Sequence, residues 1–337
     1  SGPLRVDTDG LLHGLDGPAP AADDDDSKEE AKEAGPPPQD QSGSDSQSEV
    51  QDFKALVKLL ASKHETFELV GELVDDHYFK GRQSSRLNVS KFSKVALKQW
   101  KILRMGLPDN IWVKGYEDRM DLLRAVIVGS PGTPYHYALF CFDIYLPPTF
   151  PQDPPEVCFK SYGARLNPNL YENGRVCLSL LNTWNGRDKE KWDPSGSSIL
   201  QVLVSIQGLV LNAKPYFNEA GFDSQVGSTS GQQKAVLYNE NCMLLVYKHC
   251  VATIARPPMG YEAFVRDHFA AAKGLLEKSM QDYASGGATI GSSQDPSSKD
   301  KGEETEGPSE GFKIMLRQLR PGIVAALESC ATEKRAA

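Results

Sequence analysis

The sequence predicts an α+β domain, because one amphipathic helix, four strand-like runs and a group of further helices follow one another between two polar segments. In the segment 88–103, apolar residues recur at helical spacing and form a single stripe, at Val89, Phe92, Ala96, Trp100 and Leu103. Four short apolar runs follow this N-terminal helix, at 111–118, 122–129, 138–145 and 156–160.

The connections between these runs indicate how the strands pair. The links 129–136 and 146–155 are rich in glycine and proline and are too short to hold a crossover helix. Consecutive strands are therefore expected to form a four-stranded antiparallel meander. In the third run Phe140, Phe142 and Ile144 alternate with the residues between them, and we expect helices to cover one face of the sheet.

Helical patterns dominate the chain after the strands. Residues 197–211 place Ser198 and Gln201 in capping-box spacing ahead of an apolar face. Two more helical segments lie near 232–255 and 261–279, separated by the breaker sequence RPPMG. Residues 312–329 form the pattern of a short amphipathic helix that is interrupted at Pro321.

Composition divides the 337 residues into five parts. Residues 1–50 carry a net charge of −10 within a total of −8, so the rest of the chain carries +2. This acidic tail is rich in Pro, Gly and Ser, and is predicted to be disordered because it cannot bury enough apolar surface to offset its ordering entropy. The other predicted parts are an N-terminal extension (51–87), a central domain with a helical extension (88–280), a disordered linker (281–310) and a C-terminal helix (311–337).

Charge and cysteine usage exclude several classes of protein. The near-neutral remainder has no dense basic stripe for nucleic acid. The six cysteines contain no CxxC pair, so reduced thiols are expected instead of a zinc site or a disulfide framework. No apolar run reaches the roughly 20 residues of a membrane span. Without a signal peptide pattern, we expect a cytoplasmic or nuclear protein.

Cys177 lies within NPNLYENGRVCLSLL, residues 167–181. A lone cysteine is most often a small buried hydrophobe, and this interpretation fits the strand residues Cys141 and Cys158 and the helical residues Cys242 and Cys250. Cys177 differs because it falls in an irregular stretch of roughly 30 residues, longer than compact domains usually contain without a functional reason. Its flanking Asn-Gly and Asn-Pro turns indicate a shaped loop, where a nucleophile is expected.

The order of motifs from GSPGTPYHYALFCFDIY through NPN and Cys177 to WDP resembles that of the ubiquitin-conjugating enzymes over about residues 88–255. The stretches RLNPNLYENGRVCLSLLNTWNG and KPYFNEAGF are similar to the large hybrid conjugating enzyme/ligases. These comprise the plant phosphate-homeostasis type, the animal O class and the giant member with an inhibitor-of-apoptosis repeat. The resemblance implies a ubiquitin-conjugating fold for residues 88–280, with an N-terminal helix, a four-stranded meander, an active-site loop and C-terminal helices.

The resemblance also implies the chemistry. Cys177 would accept ubiquitin from the ubiquitin-activating enzyme as a thioester and pass it to lysines of protein substrates, without a metal or organic cofactor. Asn169 would stabilise the oxyanion with its amide, or brace its own loop, and both roles are compatible. Asn167 replaces the histidine of the family tripeptide and is expected to bond the loop backbone.

Other residues carry open alternatives. Asn218 and Glu219 would orient or deprotonate the incoming lysine, or belong to an ordinary solvated loop. The insertion at 185–191, between Trp184 and Trp192, would read substrates or lengthen the cover of the thioester.

Two competing functions remain at this stage. One is an inactive conjugating-fold module that binds ubiquitin or another partner. The other is a cysteine hydrolase that uses Cys177 with His136.

Three positions in two loops argue against dependence on a RING ligase. In the family, an apolar anchor and a Ser-Pro-Ala turn hold the RING domain, but here Gln152 takes the anchor position, and Asp193 and Ser195 replace Ser and Ala. The hypothesis is therefore that a separate RING ligase is not required.

Overall fold

The computed structural model describes residues 42–82, 89–184, 190–286, 290 and 307–333. Its strands are β1 (Phe67–Val70), β2 (Ile111–Tyr116), β3 (Leu122–Val128), β4 (Leu139–Tyr145) and β5 (Glu156–Phe159). Its longer helices are α1 (Ser42–Ala61), α2 (Val89–Gly106), α3 (Ile199–Ser205), α4 (Thr229–Ala255), α5 (Glu262–Ser285) and α6 (Glu310–Glu333). The α+β class predicted from the sequence is confirmed.

The five strands lie in the sheet in chain order. Strands β2 to β5 form the antiparallel meander that the short links predicted. The sheet has five strands instead of four, because β1 pairs with β2 in parallel. A parallel pair needs a long crossover connection, and here that connection contains α2. The four residues of β1 show no sustained alternation, so only this long-range pairing reveals them as a strand.

One face of the sheet packs against α2 and α3. Trp100 of α2 lies over Gly115 of β2, where a Cβ would approach the indole ring to 3.4 Å. Gln99 Oε1 accepts a hydrogen bond from Ile199 N at 3.0 Å, which attaches the start of α3 to α2. The predicted capping box of Ser198 is present at this helix start.

Helix α5 covers the other face, so the expectation of one covered face is wrong. The Phe264 ring of α5 lies 4.7 Å from that of Trp112. His268 Nε2 donates to Tyr137 O at 2.7 Å. Every residue of β3 and β4 is buried as a result. The alternating residues of β4 therefore point to two buried faces of the sheet, and neither set points to solvent.

Helix α1 begins inside the segment predicted to be a disordered tail. The boundary expected at residue 50 falls within this helix, which starts at Ser42, while residues 1–41 lie outside the described part of the chain. Leu56 and Leu60, one turn apart, are buried, and Lys63 just beyond the helix pairs with Asp267 of α5 at 2.9 Å. Tertiary packing of the apolar side outweighs the polar composition of the first turns.

Helix α6 runs through Pro321, so the predicted interruption is wrong. Proline removes one amide donor from a helix, but Leu316 before it and Ile323 after it are both buried and hold the two halves in place. At the start of α6, both carboxylate oxygens of Glu240 on α4 accept from Ser309, one from its backbone N–H and one from its hydroxyl, each at 2.6 Å.

Gly286 after α5 and Gly307 before α6, both within the predicted linker, lie next to each other. Helix α5 ends at Ser285, beyond the predicted boundary of 280, and most of the linker lies outside the described residues. A Cβ on Gly307 would lie 3.2 Å from Gly286 O. The chain therefore leaves α5 and re-enters the fold before α6 at neighbouring points.

A fully buried arginine joins four parts of the fold. Arg124 of β3 donates to both carboxylate oxygens of Asp143 on β4, at 2.6 and 2.9 Å. It also donates to Asp76 Oδ1 at 2.6 Å, to Asp76 O at 3.1 Å and to Met259 O at 3.0 Å. Burial alone would raise the pKa of Asp76, but hydrogen bonds from Lys160 and Arg124 outweigh burial and lower it to about 2.

We predict that Arg124→Met lowers the free energy of unfolding by about 3–5 kcal/mol, because Asp143 would remain buried and charged without its partner. The matched control is Arg82→Met. Arg82 pairs with Glu156 at the surface, with side chains 54% and 44% exposed, and its loss should cost about 1 kcal/mol or less. Urea unfolding of the three proteins measures both values, and equal costs would contradict the assigned importance of Arg124.

Candidate functional site

A narrow hairpin carries Cys177. Leu170 pairs with Val176 across it, and Cys177 N donates to Asn169 O at 2.9 Å. Gly174 at the turn has φ +86°, and a Cβ there would lie 2.6 Å from Cys158 Sγ. Only glycine allows the turn to lie so close to β5, so the Asn-Gly signal in the sequence marks the point that holds the hairpin against the sheet.

The register of the hairpin explains the spacing of eight residues between Asn169 and Cys177. Facing residues in an antiparallel pair project to the same side, and alternate residues project to opposite sides. Leu170 and Val176 are buried in the core, which places their neighbours Asn169 and Cys177, and also Tyr171, on the opposite side.

Asn167 holds the hairpin at its base. Its Oδ1 accepts from the backbone N–H groups of Asn169 at 2.8 Å and Leu170 at 3.0 Å. Its Nδ2 donates to the Tyr135 hydroxyl at 2.8 Å and to Val210 O at 3.0 Å. This asparagine therefore bonds the loop backbone, as expected from the sequence, and also attaches the hairpin to the end of the segment that follows α3.

Asn169 faces the backbone of Cys177. Its Nδ2 donates to Cys177 O at 2.9 Å, which is the bracing contact foreseen for it. Its Oδ1 is buried and has no hydrogen-bond partner within the described part of the chain. An oxyanion role remains a prediction, and it requires the second N–H of Nδ2 to reach the oxyanion, because the first is used on this carbonyl.

The thiol of Cys177 is covered, since the residue is only 1% exposed. Partial burial, followed by the nearby Cys177 thiol, raises the pKa of Tyr171. The sequence interpretation missed Tyr171. The signal was available, because a hairpin centred on Asn-Gly places the residue two positions after Asn169 on the same side.

The predicted lysine gate lies beside the hairpin. Asn218 ends a short 3₁₀-helix (Pro215–Asn218), and its amide is bonded within its own loop, to Leu209 O at 2.9 Å and Asn212 Nδ2 at 2.8 Å. Glu219 reaches back to Arg165 at 3.4 Å. The structure thus brings Glu219 toward the cysteine loop, whereas Asn218 mainly shapes the turn.

An open cleft of about 660 Å³ separates the segment 175–184 from this loop. Its walls include Arg175 and Trp184 on one side and Phe217, Glu219 and Asp223 on the other. Both aromatic and charged groups line it. Residues 185–189 of the predicted insertion lie outside the described part of the chain.

His136 does not form a nucleophile-base pair with Cys177. Its Nδ1 donates to Thr133 O at 2.8 Å, and its Nε2 accepts from the Ser279 hydroxyl at 2.7 Å. Burial lowers the pKa of His136, which keeps the ring neutral. Both ring nitrogens are occupied by fold contacts, and the hydrolase hypothesis loses its base.

The other cysteines in strands and helices are buried, as predicted. Burial raises the pKa to about 12 for the thiols of Cys141, Cys158, Cys242 and Cys250. Thiols of this kind are poor nucleophiles.

Among the described residues, no group of three or more His, Cys, Asp or Glu side chains could hold a metal ion. No helix in the described ranges combines the length and apolar character needed to cross a membrane.

Comparison with known proteins agrees with the geometry. The sequence pattern of the family described as ubiquitin-conjugating enzyme matches residues 94–244. The chain is 49% identical over 252 residues to the probable ubiquitin-conjugating enzyme E2 23 of Arabidopsis thaliana, covering 75% of this chain and 23% of that protein. It is 42% identical over 258 residues to the putative ubiquitin-conjugating enzyme E2 38 of the same plant, covering 77% of this chain and 79% of that protein.

A human relative is also similar. The dual E2 ubiquitin-conjugating enzyme/E3 ubiquitin-protein ligase BIRC6 is 36% identical over 234 residues, which cover 64% of this chain and 5% of that protein. The chain thus spans about a quarter of E2 23 but most of E2 38. With this coverage, and with a cysteine hairpin set on a meander sheet, the chain belongs to the ubiquitin-conjugating enzyme family.

Proposed function

We propose that this chain accepts ubiquitin as a thioester on Cys177 and transfers it to lysines of protein substrates. The observation that carries the proposal is the hairpin, in which Cys177 faces Asn169 and whose residue Arg175 lines the neighbouring open cleft. The four strand and helix cysteines discussed above have no such setting. Thiol chemistry of this kind needs a reducing compartment, which supports the further proposal of a cytoplasmic or nuclear location.

The reaction has two acyl transfers. Ubiquitin arrives as a thioester on the activating enzyme, which consumes ATP to form it. The Cys177 thiolate attacks the carbonyl carbon, a new C–S bond forms, the bond to the activating enzyme's sulfur breaks, and that thiolate takes up a proton. A substrate lysine then attacks as a free amine, the C–N bond forms, the Cys177 thiolate leaves, and the amine loses a proton to solvent or a nearby base.

Glu219 is one of two described carboxylates that line the cleft, with Asp223, and it is the one that contacts Arg165 beside the hairpin. A lysine side chain has an ordinary pKa near 10.4, so it arrives as an ammonium ion. An ammonium ion in the cleft would compete with Arg165 for the Glu219 carboxylate. We propose that Glu219 orients the lysine and that Asn218 fixes the loop that presents Glu219.

We predict that Cys177→Ser forms an oxyester with ubiquitin that resists reducing agent, and that Cys177→Ala forms no adduct. The measurement is a gel of protein, activating enzyme, ubiquitin and ATP, with and without reductant. Cys141→Ala is the matched control and should change stability only. Normal thioester formation by Cys177→Ala would rule out the proposed function.

We predict that Asn169→Ala still charges with ubiquitin but discharges to free lysine about 10²-fold more slowly, the usual cost of a lost oxyanion donor. Loss of the contact to Cys177 O should also lower the free energy of unfolding by about 1–3 kcal/mol. Single-turnover discharge and urea unfolding measure the two effects separately. A discharge rate equal to that of the wild type would exclude both an oxyanion role and an essential bracing role.

We further propose that the protein belongs to the hybrid conjugating enzyme/ligase type and needs no separate RING ligase. Trp192 Nε1 donates to Pro151 O at 2.7 Å, which brings the two loops that would hold a RING domain together. Gln152, in the first of these loops, is exposed and polar. Asp193 Oδ1 accepts from Ser195 N at 3.0 Å and from its hydroxyl at 2.8 Å, so the second loop is a tight polar turn. The similarity to a relative named as a dual E2/E3 protein supports the same proposal.

We predict that activating enzyme, ubiquitin and ATP alone suffice for isopeptide-linked product on lysines of the protein itself. The Cys177→Ala protein serves as the negative control for product formed by the activating enzyme. The self-sufficient hypothesis fails if product requires an added RING domain and Gln152→Phe does not alter that requirement.

A further inference from the structure

The proposed nucleophile, Cys177, is inaccessible in the protein that does not yet carry ubiquitin. Cys177 is 1% exposed, although its role requires contact with the carbonyl carbon of another protein's thioester. The cleft of about 660 Å³ lies next to the hairpin, but Cys177 is not among the residues that line it. Some group must therefore move before the sulfur can react.

Tyr171 is the group that the geometry identifies. Tyr171 N donates to Arg175 O at 3.1 Å, so these two residues face each other across the hairpin. Cys177 is two residues further along, which makes it the diagonal neighbour of Tyr171. Aromatic side chains reach diagonal neighbours in antiparallel pairs. The Tyr171 ring therefore lies on the same side of the hairpin as the thiol and within reach of it.

Two guanidinium groups hold the Tyr171 ring. Arg165 lies 4.4 Å from the ring centroid and Arg175 lies 5.7 Å from it. Each arginine is itself anchored, Arg165 to Glu219 at 3.4 Å and Arg175 to Thr183 O at 3.4 Å. The ring cannot leave the thiol without giving up both cation–π contacts.

We propose that Tyr171 is a positioning residue that shields the Cys177 thiol in the uncharged protein and must swing aside for ubiquitin transfer. Arg165 and Arg175 hold it closed. Because Arg165 also pairs with Glu219, a cation that arrives at Glu219 loosens one of the two holds. The inference rests on the proposed role of Cys177, but its test does not use ubiquitin.

The test is the alkylation rate of Cys177 by iodoacetamide in the full chain, followed by mass spectrometry of its peptide from pH 6 to pH 11, roughly the range in which cysteine thiols ionise. A shield lowers the limiting rate reached when the thiol is fully ionised, whereas a purely electrostatic neighbour shifts the midpoint of the profile. Tyr171→Ala should raise the limiting rate about 5- to 30-fold, the ratio that two exposed cation–π contacts maintain. Tyr171→Phe keeps the ring and should stay near the wild-type limit.

Arg165→Gln provides a second variant that leaves the hairpin sequence between Asn169 and Cys177 intact. It should raise the limiting rate about 2- to 5-fold through the loss of one cation–π contact. Tyr78→Ala, which removes an exposed tyrosine, should leave the profile unchanged. If circular dichroism shows that Tyr171→Ala does not fold, the rates of Arg165→Gln and Tyr171→Phe decide whether Tyr171 shields the thiol.

The outcomes separate the two hypotheses. A limiting rate that is unchanged in Tyr171→Ala and in Arg165→Gln overturns the shielding role, whatever the ubiquitin assays show. Failure of the wild-type protein to form a thioester overturns the proposed function and leaves the alkylation result valid.

Discussion

The Arg124 guanidinium is the contact on which the arrangement of the domain depends. All five of its N–H donors are used, and they reach β4, the extension before α2 and the turn before α5. A buried charge is tolerated only when its donors are satisfied, so these segments have one acceptable arrangement. The face of the sheet turned toward α5 is thereby covered, and this places Tyr261 and Phe264 over the strands.

The position of the Cys177 hairpin is determined by the sheet against which it packs. Phe159 N of β5 donates to Gly174 O at 2.7 Å, and Asn167 connects the base of the hairpin to Val210 beyond α3. The hairpin is thus attached at both its turn and its base. A loop attached in this way keeps its geometry fixed without being a strand or a helix.

Local pattern predicted the elements whose own side chains determine them. The stripe of α2, the meander links and the capping box of Ser198 each need only a few neighbouring residues, and each was found from sequence. Strand β1 and the docking of α5 depend on partners far along the chain, so four residues of FELV and a single helix gave no indication of them. The prediction that the helix is interrupted at Pro321 was wrong for the opposite reason. Proline disfavours a helix locally, but the packing of buried residues on both sides of Pro321 keeps α6 continuous.

In the site, too, features set by neighbouring residues were predictable and features set by distant residues were not. The spacing of Asn169 and Cys177 is a local hairpin property and was read correctly as a shaped loop, whereas the pairing of Arg165 with Glu219 joins residues 54 positions apart in the sequence. A charged pair between two loops has no periodic signature. The gate role of Asn218 and Glu219 was therefore predicted from the resemblance alone, and their contacts could be seen only in the fold.

The meeting of Gly286 and Gly307 has a consequence for how this domain tolerates change. Because the two ends of the intervening segment already lie side by side, that segment does not need to span any distance. Loop-closure entropy grows only with the logarithm of length, so residues inserted there after the buried Ile290 alter the folding free energy little. The point is suited to accepting a new sequence, whether acquired in evolution or introduced as a tag, while α6 keeps its place on α4 and α5.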